Sequence, residues 1–82
     1  MNKTQKYVIV KRYGHEVPII FHELISHHEI VGEMEVISAG FIRLRFWGQN
    51  LIEFSVFGRS ETLNKSSRDG DDIIIRKLFN IN

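Results

Sequence analysis

Phe41-Ile42-Arg43-Leu44-Arg45-Phe46-Trp47-Gly48-Gln49-Asn50-Leu51-Ile52-Glu53-Phe54-Ser55-Val56-Phe57 is the stretch that decides the fold. Side chains alternate across a strand, so residues two apart share a face. Ile42, Leu44 and Phe46 then point one way, and Phe41, Arg43, Arg45 and Trp47 the other. The run after Gly48 alternates too, with Ile52, Phe54 and Val56 set against Leu51, Glu53, Ser55 and Phe57. A two-residue loop, Gly48-Gln49, would place Leu44 opposite Glu53 and mix the faces. A three-residue loop, Gly48-Gln49-Asn50, places Phe46 opposite Ile52, Leu44 opposite Phe54, Ile42 opposite Val56 and Arg45 opposite Glu53. It also leaves Asn50 where a left-handed residue is wanted. The spacing therefore predicts a β-hairpin with one apolar face and one aromatic–arginine face.

Working outward, the first strand of this hairpin reaches back to Glu35, with an irregularity expected at Ala39-Gly40, where glycine suggests a bulge. Upstream, Tyr7–Arg12 is rich in β-branched and aromatic residues and reads as a strand. Tyr13-Gly14-His15-Glu16 reads as a turn, and Val17–Phe21 as a second strand. Pro18 lacks an N–H, which places that strand at a sheet edge. Closing this turn with Arg12 opposite Val17 sets Val10 opposite Ile19 and Val8 opposite Phe21. His22–His28 reads as a short helix with Leu24 and Ile25 on its apolar side, and Gly32 ends the connection. Gly58–Ser67 is polar and reads as a loop or a short irregular edge strand. A closing helix is expected over about Asp69–Phe79, capped by Ser67 or Asp69. Asp71 and Asp72 suit its positive end, Arg76 and Lys77 its negative end, and Ile74, Ile75, Leu78 and Phe79 form its apolar stripe. The class that follows is α+β: a small antiparallel sheet of two β-hairpins, a short intervening helix, and a C-terminal helix packed on one face.

Bulk properties bound the rest. Eighty-two residues make one domain with a thin core, which leaves little room for a deep pocket and its supporting shell. Residues 1–5 and 80–82 are expected to be disordered. Eleven Lys+Arg against ten Asp+Glu leave a formal charge of +1, so any footprint for nucleic acid would have to be local. With no cysteine, neither a disulfide nor a thiolate metal site can form, which favours an intracellular setting. No apolar run approaches a signal-peptide core or a membrane span, so no membrane contact is expected.

Three constellations could carry chemistry. His22-Glu23-Leu24-Ile25-Ser26-His27 resembles the H-E-x-x-H zinc motif but is one residue too long. Its histidines lie about 140° apart on a helix turning about 100° per residue, and cannot chelate one ion as that motif does. A looser site of His27, His28 and Glu29 is weighed against polar side chains that simply face solvent, which this reading favours, and against a pH-sensitive interface. Asp69-Gly70-Asp71-Asp72 misplaces the glycine of a calcium loop and fits a helix start better. No metal or other cofactor is therefore expected, and no nucleophile elbow or phosphate loop occurs. The third constellation is the Phe41, Arg43, Arg45, Trp47 face. Aromatic and arginine side chains together are typical of protein contact hot spots, and can also stack on bases and hold phosphate. The same face could equally be an ordinary second side of the sheet, with Arg45 and Glu53 as a cross-strand pair.

Several segments together resemble small accessory proteins of tailed phages and prophages, a group without an assigned activity. They are Tyr7–Val10, Glu16–His27, Val36–Phe41, Gly58–Glu61, Ser67-Arg68 and Leu78-Phe79. The resemblance implies a product acting in the bacterial cytoplasm and carries over no functional residues. The expectation is a non-enzymatic protein acting through protein–protein contact with a host or phage partner. A homodimer through an exposed sheet face or edge is part of that expectation, with Phe41, Arg43, Arg45 and Trp47 as binding residues and Trp47 as anchor. The alternatives are a nucleic-acid binder using the same face, and an enzyme with a His22/His27/His28 metal site.

Overall fold

The computed structural model describes residues 2–79. Their fold is α+β, with the elements β1 (Asn2–Arg12), β2 (His15–Phe21), α1 (His27–Val31), β3 (Glu35–Trp47), β4 (Asn50–Phe57), β5 (Arg59–Ser60), β6 (Lys65–Ser66) and α2 (Asp71–Phe79). The hairpins β1–β2 and β3–β4 do not stand separately. β1 also pairs antiparallel with β3, which merges them into one four-stranded sheet of order β2-β1-β3-β4. This corrects the two-hairpin picture. β1 begins at Asn2 because Asn2–Lys6 pair with Phe41–Arg45, so residues 2–5 are strand rather than disordered. Met1 and residues 80–82 lie outside the described residues.

β1 is central, and Tyr7, Val8, Ile9 and Val10 are all fully buried. That explains their unbroken apolar run: both faces of the sheet are covered here. On one face, Tyr7, Ile9, Ile42, Leu44 and Phe54 pack with Ile75 of α2. On the other, Val8, Val10, Phe21 and Ala39 pack with Val31 of α1 and with Leu63 from the β5–β6 turn. The C-terminal helix thus covers one face, as its apolar stripe predicts, and α1 with the small β5–β6 hairpin covers part of the other.

The hairpin registers differ in detail from the expectation. Tyr13 and Gly14 both have positive φ, 52° and 80°, the signature of a two-residue type I′ turn. Arg12 therefore faces His15, Val10 faces Val17 and Val8 faces Ile19. The slip from the expected register is two residues, so every side chain keeps its face. In β3–β4, Leu44 faces Phe54, Ile42 faces Val56 and Arg45 faces Glu53 as expected, but Phe46 faces Leu51 and Trp47 faces Asn50. The loop is Gly48-Gln49, with positive φ at Gly48 as a type II′ turn requires, and Ile52 is the extra residue of a bulge that restores the alternation. The bulge expected at Ala39-Gly40 falls earlier in β3, at Ile37, because Ile9 faces Ser38 and Val10 faces Val36. Pro18 does mark an edge strand.

Gly40 has a different role. A Cβ there would lie 2.6 Å from the Phe57 carbonyl oxygen and 3.2 Å from that of Gly58. Both obstacles are backbone and cannot rotate away. Gly40→Ala is therefore expected to cost about 1–3 kcal/mol through forced strand separation, read as a lower urea midpoint with an unchanged slope.

The helices shift as well. Residues 22–25 form a turn closed by Ile25 N–H to the His22 carbonyl at 3.0 Å, and α1 starts only after Ser26. The Ser26 hydroxyl accepts the Glu29 N–H at 3.2 Å, which fixes the helix start four to five residues later than expected. Leu24 is left exposed, while Ile25 packs inward. Gly32, expected only to end the connection, caps α1 in a positive-φ conformation. α2 begins at Asp71 rather than Asp69, and the Ser67 hydroxyl donates to the Gly58 carbonyl instead of serving the helix. Ile75 is fully buried and Ile74 and Phe79 are half-buried, but Leu78 remains exposed.

Candidate functional site

The four residues of the aromatic–arginine face do share one side of β3, and the structure grades them from buried to exposed. At the covered end, Phe41 is half-buried. Its ring stacks on Phe57 across the strand pair, with centroids 5.8 Å apart, and meets His27 edge-on at 5.7 Å. His27 in turn meets Phe21 edge-on at 5.3 Å. Phe21, His27, Phe41 and Phe57 thus form a continuous row of rings that starts in the core and surfaces at the edge strand β4.

Beyond that row the face is uncovered, because α1 and β5–β6 reach only the Val8–Phe41 end. The Arg43 guanidinium lies over the exposed side of Phe57, 5.2 Å from the ring centroid. No carboxylate lies within ion-pair distance of it among the described residues. Arg45 is engaged differently, pairing with Glu53 Oε1 at 2.9 Å as the strand register dictates. Both partners are well solvated, so this pair contributes little to stability. Arg43, Arg45, Glu53 and Ser55 floor a shallow depression completed by Asn2. Trp47, the largest side chain in the chain, stands at the hairpin tip with 77% of its surface exposed. Phe57 and Ile52 are also substantially exposed.

The histidines are not gathered. His22 is exposed, and its Nδ1 accepts the Leu24 N–H at 3.1 Å. His28 is exposed on α1. His27 is buried, and its Nε2 bonds the Gly40 carbonyl at 2.8 Å, which makes Nε2 the protonated nitrogen. Among the described residues no group of three histidines or carboxylates could hold a metal ion. The expectation that His27 faces solvent is corrected: it fills the space between Phe21 and Phe41. Its burial was readable in one respect, since His27 and Val31 are spaced i, i+4 after the Ser26 cap and together form the inner side of α1.

Burial pushes the His27 imidazole below its ordinary value, and the charge of Lys6 acts in the same sense against the pull of the Gly40 carbonyl. The unfolded chain then takes up a proton at this site, near pH 6.5, before the folded one does. Stability from His27 is complete above that pH and is lost as pH falls through it. The melting temperature is expected to drop between pH 7 and 5, and His27→Gln, which can still donate to Gly40, to flatten that slope.

A second titratable cluster lies on the other side of the sheet. Asp71 is fully buried at the start of α2. Its Oδ2 accepts the Tyr7 hydroxyl at 2.7 Å and the Arg68 N–H at 3.1 Å, and its Oδ1 accepts Arg68 Nε at 2.8 Å. Arg68 also grips Glu16 of β2. Burial alone would raise the Asp71 carboxyl, but the Tyr7 hydroxyl and the Arg68 guanidinium outweigh it and hold the group below its ordinary value. Burial, reinforced by the Asp71 charge, drives the Tyr7 phenol far up. Every polar atom named here is committed to tying α2 to β1 and β2, so Asp71, which stands in the first turn of α2 as expected, has a structural role besides.

No protein-family model, no curated protein and no solved structure matches this chain. Among the described residues no helix is long and apolar enough to cross a membrane.

Proposed function

We propose that this chain is a non-catalytic contact module that binds another protein through the open half of its sheet face. The observation that supports this best is Trp47, held outward at 77% exposure on a paired strand rather than in a loop. Farther along the same face, toward its covered end, stand a cation without a carboxylate, Arg43, and an exposed ring, Phe57. Tryptophan and arginine are the residue types most often found at the energetic centres of protein contacts. The buried titratable groups, by contrast, are taken up in structural bonds. Phage or prophage origin and action in the bacterial cytoplasm rest on the sequence resemblance. Nucleic acid is the second reading, favoured by Arg43 and Arg45 on one face and weakened by the interposed Glu53 and the small net charge.

Two measurements test the proposal. In fluorescence polarisation, labelled single- and double-stranded DNA is expected to show no saturable binding at about 50 or about 200 mM salt. Micromolar binding that weakens steeply with salt and disappears in an Arg43→Glu, Arg45→Glu variant would establish the nucleic-acid reading instead. In a cross-linked capture from nuclease-treated bacterial lysate, the wild type is expected to retain a protein that both Trp47→Ser and Arg43→Glu lose. Capture that ignores both substitutions would exclude this face as the contact surface. Both side chains are exposed, so folding stability is expected to stay within about 0.5 kcal/mol.

A further inference from the structure

The two edges of the sheet are built differently. On β2, Pro18 interrupts the outer row of donors, and His15 and Glu16 add polarity. Natural edges are guarded in this way against pairing with another strand. On β4 the sequence Asn50–Phe57 contains no proline and no lysine, and its one charged residue, Glu53, faces back to Arg45. The only guard is the bulge at Ile52, which leaves Glu53–Phe57 as an uninterrupted regular segment. No backbone hydrogen bond is made on its outer side among the described residues. A groove of about 500 Å³ runs beside the middle of that segment, between Phe54, Ser55 and Val56 on one wall and the Ser67–Asp72 approach to α2 on the other.

We infer that this edge pairs with the β4 strand of a second copy, antiparallel about a two-fold axis through Ser55, to make one continuous sheet across a homodimer. The register follows from the segment itself. Five regular residues bounded by a bulge and by Gly58 have Ser55 at their centre, so Ser55 faces its own equivalent, Phe54 faces Val56, and Glu53 faces Phe57 of the second copy. The charges fit this register. Arg43 is carried over the Phe57 ring toward the row of residue 57. Glu53 of the second copy arrives in that row, and it engages Arg45 of its own chain through Oε1. Each cation lacking a carboxylate thus meets a carboxylate across the axis, and the two contacts are equivalent, as a two-fold interface requires. Trp47 lies on the strand end beyond the paired segment, so this dimer leaves it available. The inference shares Arg43 and Phe57 with the contact reading above, and Trp47, which the dimer leaves free, separates the two.

The test exploits the absence of native cysteine in the full chain. Ser55→Cys is expected to cross-link to itself rapidly with a short bismaleimide, whereas Leu24→Cys, exposed on another side, is not. In sedimentation velocity the wild type is expected to dimerise with concentration. Arg43→Glu and Glu53→Arg are each expected to weaken the dimer tenfold or more, because each opposes like charges across the axis. Mixed one to one, the two variants are expected to regain wild-type association, since both contacts of the mixed dimer then pair opposite charges. Trp47→Ser is expected to dimerise like the wild type. A wild type that remains monomeric at millimolar concentration overturns the pairing while leaving binding of a different protein intact. A dimer that forms without cross-linking at Ser55→Cys, or that is unaffected by both charge reversals, also overturns it. Loss of dimerisation in Trp47→Ser places the second copy on the face rather than the edge, and overturns the edge pairing as well.

Discussion

Asp71→Ala is expected to remove about 3–5 kcal/mol of folding stability, the cost of breaking a buried charge pair from one side. The carboxylate is fully buried and accepts from Tyr7, from Arg68 Nε and from the Arg68 backbone. Its removal leaves the Tyr7 hydroxyl inside the core without an acceptor and the Arg68 guanidinium with only Glu16. A domain of this size has about 4–12 kcal/mol in total, so the variant sits near the unfolding threshold. Asp71→Asn keeps the shape and one acceptor but loses the charge, and falls between the two. Tyr7→Phe removes the buried donor together with its bond and costs only about 0.5–1.5 kcal/mol. Urea titrations of Tyr7→Phe, Asp71→Asn and the double variant complete a cycle, and a coupling energy of about 0.5 kcal/mol or more marks the pair as cooperative. Near-additive losses would show that the bond contributes little beyond packing.

The same network sets a second pH dependence, distinct from that of His27. The folded Asp71 carboxyl lies below its unfolded value. Its stabilisation is therefore complete above the unfolded value, about pH 4, and is lost as pH falls through the folded one. Loss that begins below about pH 6.5 reports His27, and loss that begins below about pH 4 reports Asp71. Substituting one group removes its own step and leaves the other.

What could be read from residue order alone was the part governed by alternation. Leu44 with Phe54, Ile42 with Val56 and Arg45 with Glu53 follow from matching faces, because a strand has only two. The position of the bulge did not follow. Ile52 is as apolar as the residues around it, and only the turn geometry at Gly48 decides that Leu51, not Ile52, faces Phe46. The β1–β3 pairing was not legible either, since nothing local marks which hairpin strand joins its neighbour across a connection of this length. The buried polar residues escaped for a related reason. His27 is satisfied by the carbonyl of Gly40 and Asp71 by the hydroxyl of Tyr7, partners 13 and 64 positions away. Without those partners in view, polar residues read as solvent-facing. The candidate face is legible in its arginines and tryptophan, and alternation brings Phe57 to the same side, paired with Phe41. That Phe57 carries the Arg43 guanidinium is a diagonal contact that alternation does not specify.

Ile75→Ala is expected to cost about 2–5 kcal/mol, the range for truncating a fully buried aliphatic side chain to alanine. The consequence reaches further than a cavity. α2 has nine residues, too few to persist without tertiary packing. Ile75 is its only fully buried apolar residue, while Ile74 and Phe79 are half covered and Ile73 and Leu78 are exposed. Asp71 holds the helix at its start and Ile75, one turn later, holds it against Tyr7, Ile9, Ile42, Leu44 and Phe54. Alanine raises intrinsic helix propensity over isoleucine by a few tenths of a kcal/mol, far less than the packing it forfeits. Amide exchange of α2 should therefore accelerate more than that of β1 and β3, which retain their pairing and the second apolar cluster beneath α1. Uniform acceleration of strands and helix would instead mean that the helix unfolds only with the whole domain. The sheet and its open face would then depend on a helix packed on the opposite side.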